Sequence, residues 1–149
     1  MKQHQLVLKR IFSLSKRELF DAWSKPDIMC RWFYGSNSEQ ASCSIENSFV
    51  TNGSYKLVMH FETNDFEIHG KYLEINRYNL IVFTWNNALV SETQVSLAFK
   101  ELSPNRTELT LTHEFLPSTA LRDNHIEGWT ICFDNLEKNV ASTESSSKP

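Results

Sequence analysis

The chain has 149 residues, 40% hydrophobic and 22% charged, with a formal net charge of −3. That is the length of one domain of ordinary globular composition, long enough to bury a core without metal or disulfide support. No apolar run approaches the roughly 18 residues of a membrane helix, and no basic cluster supplies the electrostatic footprint of a nucleic-acid binder.

The start, Met1 to Val7, has neither the long apolar stretch nor the cleavage site of a secretory signal. Cys30, Cys43 and Cys132 are too few and too scattered for a disulfide framework or a zinc site. Together these predict a reducing, cytoplasmic location. The unusual feature is aromatic bulk: ten Phe, four Trp and four Tyr, 12% of the chain. Such bulk either overfills one core or lines a cavity.

In chain order, Gln5 to Phe12 reads as an opening strand, with Leu6, Leu8 and Phe12 on one face and a switch of character at Arg10. Ser15 is a helix N-cap, with Glu18 completing a capping box. Leu19, Phe20 and Trp23 give that helix a short apolar face. Pro26 ends it and starts a second short helix, Asp27 to Trp32. Gly35 to Gln40 is a loop.

From Ala41 the period becomes two. Ser42 to Asn47 is a weak strand, and Asn52-Gly53 a tight turn. Tyr55, Leu57, Met59 and Phe61 lie on one face. After a turn at Asn64-Asp65, Phe66, Ile68, Gly70 and Tyr72 follow, with Glu74 in phase. Ile81, Phe83 and Trp85 continue the pattern, then Val95, Leu97 and Phe99. The last strand puts Leu109, Leu111, His113 and Phe115 inward. These are antiparallel strands with hairpin-length links, one face apolar and the other polar.

Ser118 caps a long final helix on which Leu121, His125, Trp129, Cys132, Phe133, Leu136 and Val140 form one apolar stripe. Ala141 to Pro149 is a Ser-rich tail expected to be disordered. The domain therefore spans 1–141, with a tail over 142–149. An apolar sheet face and an apolar helix stripe must cover each other. The predicted fold is α+β: a curved antiparallel sheet wrapped around a long C-terminal helix, with two short helices after the first strand. Gly70 within a strand predicts a bulge or bend. Gly128 in mid-helix predicts close approach of helix to strand.

Several segments in order carry a family resemblance: Phe20-Asp21-Ala22-Trp23-Ser24-Lys25-Pro26, Arg31-Trp32-Phe33, Gly53-Ser54-Tyr55, Gly70-Lys71-Tyr72-Leu73-Glu74-Ile75, Leu80-Ile81-Val82-Phe83-Thr84-Trp85 and His125-Ile126-Glu127-Gly128-Trp129. From about Leu6 to Val140 the chain resembles the START-like (SRPBCC) superfamily, and within it the homologues of the activator of the heat-shock-protein-90 ATPase. The resemblance implies a helix-grip fold with a cavity between sheet and helix. The eukaryotic co-chaperones of this group carry a further domain before the helix-grip domain, whereas this chain opens at the latter, so chaperone activation is not implied directly.

Trp32, Phe33, Trp85, Phe99 and Trp129 are candidates for the wall of an apolar pocket, or for plain core packing. Met59, Phe61 and Leu111 would add to such a wall. Tyr72, His113 and His125 are its candidate polar groups. His113 either contacts a ligand, acts as a general base assisted by Tyr72 or Glu74, or is a buried histidine satisfied by a neighbour. No third ligand has metal-site spacing. There is no nucleophile elbow, phosphate loop, dinucleotide fingerprint or Cys-x-x-Cys pair, so no cofactor is implied. Cys132 is a small apolar filler, and Cys30 beside Arg31 would be activated only if exposed. Three functions follow: binding of a small hydrophobic or amphipathic ligand, a protein-interaction module with a chaperone as partner, or a cavity enzyme of cyclase or hydrolase type using His113. An exposed edge strand leaves both monomer and homodimer open.

Overall fold

A computed structural model describes residues 4–33, 42–60 and 65–141. Strand β1 (His4–Phe12) is followed by helices α1 (Lys16–Ala22) and α2 (Pro26–Trp32). Strands β2 (Ser42–Asn47), β3 (Ser54–His60), β4 (Asp65–Asn76), β5 (Leu80–Trp85), β6 (Thr93–Ser103) and β7 (Arg106–Leu116) then run as a meander. Helix α3 (Thr119–Leu136) ends in a π-helical turn, Glu137–Ala141. The sheet order is β1-β7-β6-β5-β4-β3-β2, antiparallel throughout. The curved sheet around a long C-terminal helix expected from the periodicity is observed, and it is the helix-grip fold that the resemblance implies.

Local chemistry sets the helix ends. The Ser15 hydroxyl accepts from Glu18 N at 3.1 Å, and the Glu18 carboxylate accepts from Ser15 N at 2.9 Å, satisfying two otherwise orphaned donors. Pro26 opens α2, where its missing N–H is harmless. The Ser118 hydroxyl accepts from Leu121 N at 3.1 Å to start α3. The α3 stripe His125, Trp129, Cys132, Phe133 and Leu136 is buried. Arg10 is in phase with the inward residues of β1 and reaches the far end of that helix. Its guanidinium lies 5.5 Å from the Phe133 ring centre, 2.8 Å from Asp134 and 3.1 Å from Glu137.

The strict period of two fails at two places. Tyr72 pairs with Phe83 but Glu74 with Val82, so the ladder slips at Leu73. Beyond the slip Glu74 is exposed and Ile75 half-buried, which corrects the expectation that Glu74 faces inward. At the end of β7, Leu6 pairs with His113 but His4 with Leu116. Phe115 takes φ 68° and turns outward, 48% exposed, while Leu116 is fully buried in its place. One extra residue reverses every following side chain.

Neither internal glycine plays the role expected of it. A Cβ on Gly70 would lie 2.1 Å from the Thr84 carbonyl oxygen, so Gly70 permits close backbone approach and the bulge falls three residues later. A Cβ on Gly128 would meet nothing within 4 Å among the described residues, so no helix–strand approach between them requires it. A further correction concerns the cysteines. Cys30 and Cys43 form a disulfide with Cα atoms 5.6 Å apart, tying α2 to β2. Their separation of 13 residues says nothing of this, because helix packing against the edge strand brings them together. The loop predicted at Gly35 to Gln40 and the tail beyond Ala141 lie outside the described residues.

Two outcomes follow in denaturant unfolding. Gly70→Ala loses at least about 2 kcal/mol, because backbone rather than a flexible side chain must move, whereas Gly128→Ala gains up to about 1 kcal/mol from helix propensity alone. Equal effects at the two sites would contradict this assignment. Protein unfolded without reductant takes up one alkylating group by mass, and three after reduction. Reduction costs about 3 kcal/mol for a loop of this order.

Candidate functional site

Between the β3–β5 side of the sheet and α3 lies a cleft of about 530 Å³. Its sheet wall is Met59, Phe66, Ile68 and Trp85, and Phe33 contributes from the end of α2. Its helix wall is His125, Gly128, Trp129 and Cys132. Asn87, Leu89, Asn124, Glu127 and Ile131 complete the lining. Position sets these groups: residues 125, 128, 129 and 132 fall on one face of a helix, and 66 and 68 on one face of a strand. Behind the cleft sits a second chamber of about 40 Å³, sharing Phe33, Ile68, Trp85 and Trp129 with it. Trp23, Trp32, Tyr55, Tyr72 and Phe83 are among the chamber's other walls.

His113 is fully buried at the back of the site. Trp129 Nε1–H donates to its Nδ1 at 3.1 Å, so the ring proton must sit on Nε2. Nε2–H therefore donates to Thr93 Oγ1 at 2.9 Å, and that hydroxyl donates to the Trp85 carbonyl at 2.7 Å. The chain runs from helix to sheet and leaves His113 with no spare nitrogen. Burial, with the nearby His125 adding to it, lowers its pKa to about 3. His125 touches the Leu121 carbonyl through Nδ1 at 2.8 Å, which puts its proton there. Its Nε2 faces the Asn87 amide at 3.5 Å. Burial lowers the His125 pKa, opposed by the Leu121 carbonyl. Burial likewise raises Tyr55 and Tyr72, the former also through Tyr72 and the latter against a hydrogen bond from Asn47. These two histidines and two tyrosines are thus neutral at pH 7.

The placement of the sequence candidates divides accordingly. Phe33, Met59, Trp85, His125 and Trp129 line the cleft, while Trp32 and Tyr72 line only the chamber. Leu111 and His113 are buried without lining either space. Phe99 lies elsewhere, packed on Phe20 with ring centres 5.3 Å apart. Phe61 lies outside the described residues. Sequence reading missed Phe66 and Ile68 as wall residues, although their strand phase marked them as inward. It also missed Thr93, whose role depends on β6 lying beside β7. Among the described residues no group of three or more His, Cys, Asp or Glu is placed to hold a metal ion. No described helix is long and apolar enough to cross a membrane.

A family model described as Activator of Hsp90 ATPase homolog 1-like protein matches residues 13–141. The chain belongs to this family. Comparison with curated proteins by sequence found no match. Among solved structures, a protein from Chromobacterium violaceum superposes with TM-score 0.80 at 20% identity, covering 92% of this chain and 97% of its own. A Staphylococcus aureus protein of unknown function gives 0.81 at 16% identity, covering 98% and 96%. An HSP90 activator from Plasmodium falciparum gives 0.70 at 23% identity, covering 89% and 93%. At these identities the likeness is one of fold, and this family member shares its helix-grip architecture with all three.

The lowered histidine pKa values carry a stability prediction. The unfolded chain binds protons near pH 6.5 that the fold excludes, so the contribution is complete above about pH 6.5 and declines as pH falls toward 3. Denaturant midpoints should drop on acidification, at up to about 1.4 kcal/mol per pH unit for each histidine. His113→Leu removes one proton from that slope and also costs about 1–3 kcal/mol at pH 7.5, by orphaning the Trp129 N–H. An unchanged acid slope in the variant would assign the titration to another group.

Proposed function

We propose that this chain binds a small hydrophobic or amphipathic molecule in the cleft between the sheet and α3, without covalent chemistry. The observation that carries the reading is Gly128. A mid-helix glycine costs about 1 kcal/mol against alanine, and here no neighbour among the described residues requires it. What its missing side chain leaves is space at the helix wall of the cleft. The volume, about 530 Å³, falls within the range of small-molecule sites, and the mostly apolar lining with a few polar groups matches their usual composition. A cavity enzyme with His113 as base is a poorer reading, since both ring nitrogens are engaged within the fold and Glu74 faces solvent. With Cys30 and Cys43 bonded, the cysteines do not support the cytoplasmic location expected from unbonded thiols.

Family membership favours a second reading, a chaperone ATPase activator, in which the chain's surface meets the partner and the cleft plays no part. It predicts stimulation of a heat-shock-protein-90 ATPase that survives filling of the cleft.

Gly128→Phe separates the two. The substituted side chain starts in open space and grows along the helix wall. Nile red fluorescence titration should show at least about a tenfold loss of affinity while circular dichroism and cooperative unfolding persist. Non-covalent adducts seen by native mass spectrometry of the wild type should vanish in the same variant. Retained dye binding in a folded Gly128→Phe protein would place the site elsewhere.

A further inference from the structure

We propose that the cleft takes a molecule carrying a hydroxyl group, which sits beside His125 and Asn87, donating to the His125 Nε2 and accepting from the Asn87 amide. The inference rests on the binding proposal above and specifies the polar end of the bound molecule.

Both residues line the cleft, and the backbone holds each of them by one polar atom. Asn87 closes the link between β5 and β6. Its backbone N–H donates to the Val90 carbonyl at 2.9 Å, and its side-chain oxygen accepts from Leu89 N at 2.8 Å and Val90 N at 3.0 Å. Those bonds fix which end of the amide is which, so the NH2 group is the end turned toward His125. On α3 the His125 Nδ1–H donates to the Leu121 carbonyl at 2.8 Å. Nε2 therefore carries a lone pair and no proton. Burial lowers the His125 pKa, which keeps that lone pair open at neutral pH. The turn and the helix thus present a donor and an acceptor side by side. The other polar side chains of the lining, Asn124 and Glu127, are exposed, whereas Asn87 is half-buried and His125 buried.

The two groups satisfy each other poorly. The amide nitrogen and Nε2 are 3.5 Å apart, longer than the roughly 2.7–3.2 Å of a well-made hydrogen bond. An amide NH2 has two donors, and His125 is the one partner of this group among the described residues. Two polar atoms 3.5 Å apart both lie within about 2.9 Å of a single oxygen set to one side of the line joining them. That oxygen must bring a proton for Nε2 and a lone pair for the amide. A ketone or ether oxygen brings no proton and leaves Nε2 facing another lone pair. A carboxylate does the same and adds the cost of burying a charge, with no lysine or arginine among the cleft residues to offset it. An ammonium group cannot accept from the amide. An alcohol or phenol serves both partners.

Three probes of one skeleton test this by displacement of Nile red: para-propylphenol, para-propylanisole and para-propylbenzoate. The phenol should bind about three- to tenfold more tightly than its methyl ether, and the benzoate should bind most weakly. The ¹⁵N resonance of His125 Nε2 should move upfield when the phenol binds and stay in place with the ether. His125→Phe keeps a ring on the helix wall and removes the acceptor. In that variant the phenol and the ether should bind equally, with the ether within about twofold of its wild-type affinity. If the variant does not fold, the wild-type Nε2 shift decides alone. Equal affinity for phenol and ether in the wild type, with Nε2 unmoved, rejects the hydroxyl seat and leaves the cleft proposal intact. A preference for the phenol that persists in folded His125→Phe also rejects the seat. If none of the three displaces Nile red, the seat is rejected, and the response of Nile red itself to Gly128→Phe reports separately whether the cleft proposal falls too.

Discussion

The hydrogen bond from Trp129 to His113 fixes where the long helix sits on the sheet. It joins the middle of α3 to β7, and the chain continues through Thr93 on β6 to the backbone of β5. Hydrophobic contact between helix and sheet is strong but has no preferred register. A buried polar chain with every donor and acceptor matched has only one. The helix is thereby held so that Gly128, one residue before Trp129, faces the cleft. Burial keeps His113 neutral, and the bonds to Trp129 and Thr93 leave it no free nitrogen, which makes it a positioning residue for the architecture and removes it from chemistry.

The cleft exists because packing stops short at one end of the grip. Toward β1 the helix is closed down by Phe12 against Phe133, with ring centres 5.7 Å apart, and by Arg10 reaching over Phe133 to Asp134 and Glu137. Toward β3 and β4 no such closure forms among the described residues, and the helix presents glycine there. The aromatic excess serves both ends. Phe20, Phe99 and Tyr78 fill the core near α1, while Trp23, Phe33, Trp85 and Trp129 are walls as much as core. Core and pocket wall differ only in whether the far side of the ring meets another side chain.

The two register slips show how a sheet can depart from its pattern without breaking. At Leu73 the slip turns a carboxylate to solvent, and at Phe115 it exchanges one apolar residue for the next. Gly70, where the strand pattern predicts a bulge or bend, has its reason in the Thr84 backbone instead. A glycine in a strand marks either a kink or a close neighbour, and only the neighbour's position separates them.

Period, caps and turn residues are local, and they were enough to order the elements. The capping box at Ser15, the proline opening α2, the cap at Ser118, the alternation from Tyr55 to Leu111 and the stripe along α3 all operate within a few residues. The resulting apolar faces admit few arrangements, so the helix grip was legible from the chain alone. Of the fourteen residues lining the cleft, Phe33, Met59, Trp85, His125 and Trp129 were also named from the chain. Contacts between distant segments were not legible. The pairing of Cys30 with Cys43, the partners that occupy both nitrogens of His113, the distance of Phe99 from the cleft and the open space beside Gly128 each depend on where another element lies in three dimensions. Periodicity states which face a residue is on, but only tertiary packing decides what, if anything, stands opposite it.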